Sequence, residues 1–151
     1  MPEYIQPPLL FTPITLGGVT LRNRVVVSPM CQYASDSDGG PTDYHLVHLG
    51  QFAMGGVGLV FCEETAIDDR GRKSYHCAGI YNGRHLVQYR RINDFLRAHG
   101  AVPAIQLGHG GRKGSGRPPW DGYRPLTAED AALGEAPWTT VSSSAVAANA
   151  R

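Results

Sequence analysis

Apolar and polar positions along the chain fall into a repeating order. Residues 24–30, RVVVSPM, form a β-branched run closed by Ser28-Pro29, which predicts a buried strand. Residues 46–55, LVHLGQFAMG, carry apolar side chains at helical spacing and stop at Gly55-Gly56, with Thr42 or Asp43 available as the cap. The order then recurs. Residues 56–64, GVGLVFCEE, are a continuous apolar run ending in two carboxylates and predict a second buried strand. Residues 65–81 read as a loop. Residues 84–99 place Leu86, Val87, Tyr89, Ile92, Phe95 and Leu96 near helical spacing, with Gly100 as a stop. Residues 101–109, AVPAIQLGH, predict a third short strand, with Pro103 tolerable near its start. Ahead of these, two alternating runs flank Gly17-Gly18 and predict a tight hairpin. The Pro-rich residues 1–12 and the stretch 110–151 carry no helical pattern.

Alternating strands and helices with apolar strands predict a parallel sheet of right-handed βαβ units. The strands start near 24, 57 and 102, an average spacing of 39 residues. Eight such units would need roughly 312 residues, a usual size for a (β/α)₈ barrel. The expected fold class is therefore α/β: the N-terminal portion of a (β/α)₈ barrel, preceded by a β-hairpin. As one incomplete domain, the chain divides into an N-terminal segment and hairpin (1–23), a β-α-β-α-β core (24–109) and a long loop (110–151).

Composition narrows the function. Fourteen Lys plus Arg against thirteen Asp plus Glu give a net charge of +1, which argues against a protein built around nucleic acid or an anionic membrane surface. With 42% hydrophobic and 18% charged residues, the chain can bury a core. Nineteen Gly and eleven Pro imply many turns and close backbone approaches. No window approaches the roughly 20 apolar residues of a membrane helix. Residues 1–20 lack a basic n-region and a long apolar run, so no signal peptide is expected. Cys31, Cys62 and Cys77 suit neither a disulfide framework nor a zinc knuckle, and point to a reducing, cytoplasmic setting.

Each predicted strand is apolar through its body and polar at its C-terminal end. The first ends in Ser28, Pro29, Met30, Cys31, Gln32 and Tyr33, the second in Cys62, Glu63, Glu64 and Thr65, the third in Gln106, Gly108 and His109, followed by Arg112 and Lys113. In barrels and open α/β sheets, ligands bind at that end. The plainer account is that polar residues mark where strands leave the core. His45 and His48, three residues apart, superficially suggest a metal pair, but no third ligand is in sight, so packing and hydrogen bonding are favoured.

The segments LFTPITLGGVTLRNRVVVSPMCQY, GGVGLVFCEETA, IQLGHGGRK and PWTTVSSSAV, in that order over residues 9–147, resemble the N-terminal part of the old yellow enzyme family. The similar subgroup is that of the bacterial "thermophilic-like" ene-reductases with Cys after Ser-Pro-Met. The resemblance implies a barrel holding FMN, reduced by NADPH or NADH, that reduces the activated C=C bond of an α,β-unsaturated carbonyl or nitro compound. It implies that Ser28, Pro29, Met30 and Cys31 lie beside the flavin ring, where a thiol tunes its potential. Tyr33 would contact substrate, its phenol combining a flat apolar face with a donor. Cys31 and Tyr33 are thus the implied catalytic pair. Gln106 would hydrogen-bond the pyrimidine side of FMN, since an amide donates and accepts at once. Without the resemblance, Cys31 reads as a small core hydrophobe and Tyr33 as a rim aromatic. Glu63 matches the family pattern. Glu64 departs from it: the subgroup has a small residue there that meets the flavin through its backbone. Either that backbone contact persists with the Glu64 carboxylate turned away, or cofactor binding is weakened. His109 and Arg112 read as structural. Lys113, in a basic cluster with Arg112 and Arg117, reads as a solvated loop residue or as a partner for an anionic substrate or nicotinamide phosphate.

The family's substrate-binding His pair, its proton-donating Tyr and its phosphate site lie on later strands, so the expected partner is the missing C-terminal barrel half. Partner-subunit contacts often complete the site in this subgroup, which leaves a homo-oligomer open. Two other readings stand beside the enzyme: an inactive truncated fragment, and a small non-enzymatic α/β binding module.

Overall fold

The computed structural model describes residues 6–148. The ends of the Pro-rich N-terminal segment and of the C-terminal loop lie outside the described residues.

A hairpin comes first. Strands β1 (Ile14–Leu16) and β2 (Val19–Leu21) pair antiparallel, Ile14 against Leu21. Gly17 and Gly18 make the turn at φ of 54° and 85°, the left-handed region that a two-residue hairpin turn of this twist requires at both positions. The chain leaving β2 is fastened to the end of the first helix. Arg22 donates to the Ala53 and Val57 carbonyls, and Asn23 Nδ2 to the Gly56 carbonyl at 2.7 Å. Ala53 is in the last turn of that helix, and Gly56 and Val57 lie just beyond it, so the bonds tie the helix exit to the hairpin. Gly58 sits against this knot: a Cβ there would lie 2.4 Å from the Asn23 carbonyl oxygen.

The second sheet holds β3 (Val26–Val27), β4 (Leu59–Ala66) and β5 (Val102–Gly108), parallel and in chain order. Helix α1 (Asp43–Met54) joins β3 to β4, and α2 (Gly83–Ala98) joins β4 to β5. The βαβαβ order is that expected from the sequence. The first strand is shorter than the apolar run suggested, because β3 pairs on one side only and just two of its residues meet β4. Thr42 caps α1, and Asn82 caps α2 by accepting from His85 N. The loop read over 65–81 begins with the last turn-out of β4 and contains a 3-10 turn at Asp69–Gly71. The N-terminal segment holds one 3-10 turn at Leu9–Phe11, and the long loop three, at Gly111–Lys113, Pro119–Asp121 and Asp130–Leu133.

The core lies between β4 and the two helices. Val60 and Cys62 of β4 pack with Leu49 and Ala53 of α1 and with Tyr89, Ile92 and Leu96 of α2. Away from the helices the sheet is open: Val26 is 47% exposed, and Leu107 on β5 is 61% exposed. Among the described residues no helix is long and apolar enough to cross a membrane.

Candidate functional site

The C-terminal ends of β3, β4 and β5 meet on one side of the sheet. Strand β4 carries one residue more than β5 at this point: Cys62 is opposite Ile105, but Glu64 is opposite Gln106. The extra residue is Glu63, and the bulge re-aims the side chains around it. Glu63 turns toward α1, where it is 3% exposed. His45 Nε2 donates to its Oε1 at 3.1 Å, and the Gln32 backbone N–H donates to its Oε2 at 2.9 Å. The Thr42 N–H donates to His45 Nδ1 at 3.0 Å, so Nδ1 is the bare nitrogen and Nε2 carries the proton. One carboxylate thus fixes both the helix start and the segment that follows Cys31. The sequence reading matched Glu63 to a motif without seeing this job. Its signal was an acid in an apolar strand with a His three residues after a helix cap.

His45 is therefore committed to Glu63, and His48 stacks on Tyr44 with ring centroids 5.5 Å apart. No group of three or more metal-ligating side chains occurs among the described residues.

With Glu63 displaced, Glu64 and Gln106 become neighbours in register and so share the face of the sheet that the helices leave free. Gln106 is exposed, and no hydrogen bond engages its amide among the described residues. Ser28 and Met30 are exposed as well, with Pro29 and Cys31 half-buried between them. The Glu64 side chain lies over Gly108, where a Cβ would come within 2.5 Å of its Cγ, and its carboxylate is ion-paired with Lys73. The Lys73 ammonium thus compensates the Glu64 charge beside the Ser28–Cys31 segment.

Cys31, Glu64, Lys73 and Cys77 line one small cavity. Burial, and secondarily the Glu63 charge, raise the Cys31 pKa. Cys31 is therefore a neutral thiol, a weak S–H donor and not a thiolate, at ordinary pH. Tyr33 sits at φ 53°, an uncommon left-handed conformation for an aromatic residue. Its ring meets Trp120 edge to face at 5.3 Å. Burial, then the hydrogen-bonding Tyr123 phenol, push its pKa up, so it too stays protonated. The sequence reading missed Trp120, Tyr123 and Lys73, which reach the site from loops.

The loop after β5 is tied down by the residues read as structural. His109 Nδ1 accepts from Gly111 N at 3.0 Å and packs on Gly71, while Arg112 donates to Ser144 Oγ at 2.8 Å. Lys113 is exposed.

Residues 9–132 match the profile of the NADH:flavin oxidoreductase / NADH oxidase family. An NADPH dehydrogenase of Bacillus cytotoxicus is 48% identical over 105 residues, covering 69% of this chain and 30% of the relative. The old yellow enzyme of Trypanosoma cruzi superposes with a TM-score of 0.70 at 25% identity, over 95% of this chain and 37% of that one. Morphinone reductase in complex with tetrahydroNAD superposes with a TM-score of 0.65 at 28% identity, over 79% of this chain and 30% of that one. The chain thus spans about a third of the length of the proteins it matches. With the family profile matched over residues 9–132, the chain belongs to the NADH:flavin oxidoreductase / NADH oxidase family.

Proposed function

We propose that this chain forms the ring-binding side of an FMN-dependent NADPH or NADH oxidoreductase that reduces activated C=C bonds. The observation that carries this reading is the shared open face at the strand ends. There the Ser28–Cys31 segment leaves β3 at its C-terminal end and the exposed, unengaged Gln106 amide lies toward the same end of β5, with the Glu64 charge compensated by Lys73. That donor set suits a flat ring with one polar edge. Met30 and Pro29 offer apolar surface, and Gln106 both donates and accepts. The neutral Cys31 thiol donates toward the ring edge, where hydrogen bonds set redox balance. Tyr33, protonated and braced by Trp120, offers its hydroxyl to a substrate carbonyl or nitro oxygen. FMN bound here would supply hydride transfer from the nicotinamide to the C=C bond.

The described residues form one incomplete barrel domain, with the divisions at 23 and 109 given above. Its three free cysteines favour a reducing cytoplasm. Completing the barrel requires a complementing C-terminal segment, which would bring the cofactor's phosphate anchor; in such barrels that anchor belongs to the loops after strands seven and eight. A second subunit is a further partner consistent with the open face. The coverage of only 30% of the Bacillus relative favours a second reading for the chain in isolation: no activity of its own. By itself it should bind FMN weakly or not at all and reduce no enone.

The test is to purify the chain with and without the complementing segment of a relative, and to record flavin absorbance and enone-dependent NADPH oxidation. The complemented protein should be yellow and active. Colourless, inactive complexes would overturn the reading. In the active complex, Cys31→Ala should shift the flavin midpoint potential, and Tyr33→Phe should weaken enone turnover with FMN occupancy retained.

A further inference from the structure

A second cavity, of about 530 Å³, opens beside the strand ends. Its volume lies within the range of small-ligand sites, roughly 300–1,000 Å³. Tyr33, Lys73, Arg112, Lys113, Arg117 and Tyr123 line it, and no Asp or Glu does. The four cations are not equivalent. Lys73 is paired with Glu64, and Arg117 with Asp121 and Glu135. Arg112 has only the neutral Ser144 hydroxyl, and Lys113 has no carboxylate partner among the described residues. Two uncompensated positive charges therefore face a cavity that also holds the hydrogen-bonded phenol pair of Tyr33 and Tyr123. Gly114, Gly116 and Gly122 complete part of its wall, so backbone as well as side chains is accessible to a ligand.

We propose that this cavity binds a phosphate monoester of a nucleotide, with Arg112 and Lys113 as its anchors. An Arg fork gives two parallel hydrogen bonds to phosphate oxygens and a Lys gives a mobile point charge, a combination that suits a dianionic tetrahedral group better than a neutral one. The choice of nucleotide rests on the flavin-reductase reading, in which a nicotinamide dinucleotide must approach the same strand ends. The 2′-phosphate of NADPH then becomes the group that Arg112 and Lys113 discriminate. The two cations stand on the loop after β5, outside the set of residues that meets the ring, so they contribute to nucleotide choice and not to the flavin site.

The experiment is a titration of the chain, alone and in its flavin-loaded complex, with 2′,5′-ADP, 3′,5′-ADP and adenosine. Binding is followed by tryptophan fluorescence, since Trp120 packs on Tyr33, a residue of the cavity wall. The bisphosphates should bind and adenosine should not. Lys113→Ala should weaken 2′,5′-ADP binding about tenfold, the double variant Arg112→Ala/Lys113→Ala should abolish it, and Lys113→Arg should retain it. Binding should weaken as salt is raised. Preference for 2′,5′-ADP assigns the site to the nicotinamide phosphate. Preference for 3′,5′-ADP assigns it to a phosphorylated substrate and overturns the nicotinamide assignment. Adenosine binding as well as the bisphosphates, or unchanged binding in the double variant at unchanged circular dichroism, overturns the site itself. An FMN titration of the same samples separates the two readings: loss of flavin binding with phosphate binding intact removes the reductase, not the phosphate site.

Discussion

Between β4 and the two helices, Val60, Leu49, Ile92 and Leu96 are no more than 5% exposed, whereas Val26 on the open face and Leu107 on the β5 edge are 47% and 61% exposed. Both regions are apolar in sequence. They differ in what covers them. Helices α1 and α2 follow β3 and β4 and close over the sheet. Nothing in the described residues does the same for β5, and the opposite face awaits the side chains that would fill a barrel interior. The covered region contains its own polar locks, such as His45–Glu63. The open region presents functional groups to whatever completes it. Stability should therefore reside in the first and ligand chemistry in the second.

The sharpest way to break this comparison is Glu63→Ala. It leaves the His45 Nε2–H and the Gln32 N–H without their shared acceptor inside the covered region, and should cost about 1–3 kcal/mol for each donor left unpaired, read as a shift in urea midpoint. A loss below about 1 kcal/mol would mean that water replaces the carboxylate and that the lock is not structural. Next is the pair Leu96→Ala and Leu107→Ala. The first empties a buried site and should cost about 2–5 kcal/mol, while the second should stay within about 0.5 kcal/mol. Equal losses would show that β5 is covered in solution, by self-association or by a partner, and size-exclusion chromatography of the wild type would then show an assembly.

The smallest effect is alkaline. Burial pushes the Cys62 thiol up to about 11 from its ordinary 9. The folded protein then holds this proton where the unfolded chain has lost it. Stability from this group is intact below pH 9 and falls as pH rises toward 11, by at most about 1.4 kcal/mol per pH unit. Cys62→Ala should flatten that slope; an unchanged slope would assign it to the buried phenols instead.

The helices and strands were legible because each carries its own period and its own stop, as with Gly100 after α2. The glycine pair of the hairpin was equally plain. Glu63 was not. Whether CEE ends a strand or bulges it depends on His45, eighteen residues away in the chain. Nor was the disposition of Glu64, which is decided by Lys73 on the next loop and by the absence of a side chain at Gly108. The aromatic support of Tyr33 comes from Trp120, in a stretch with no periodic pattern. Contacts between loops leave no local signature, so the sequence could point to Cys31, Tyr33 and Gln106 as one neighbourhood only through the family resemblance and their position at the C-terminal ends of strands.

The strand order has a consequence in time. Because β3, β4 and β5 neighbour one another as they follow one another, each strand emerging during synthesis finds its pairing partner already made. The intervening helix arrives in between, ready to cover the new surface. Growth can proceed one unit at a time from the N-terminus, while β3 keeps one edge free for the strand that closes the barrel. Two edges stay vulnerable during that process: the first, β3, and the newest, which among the described residues is β5.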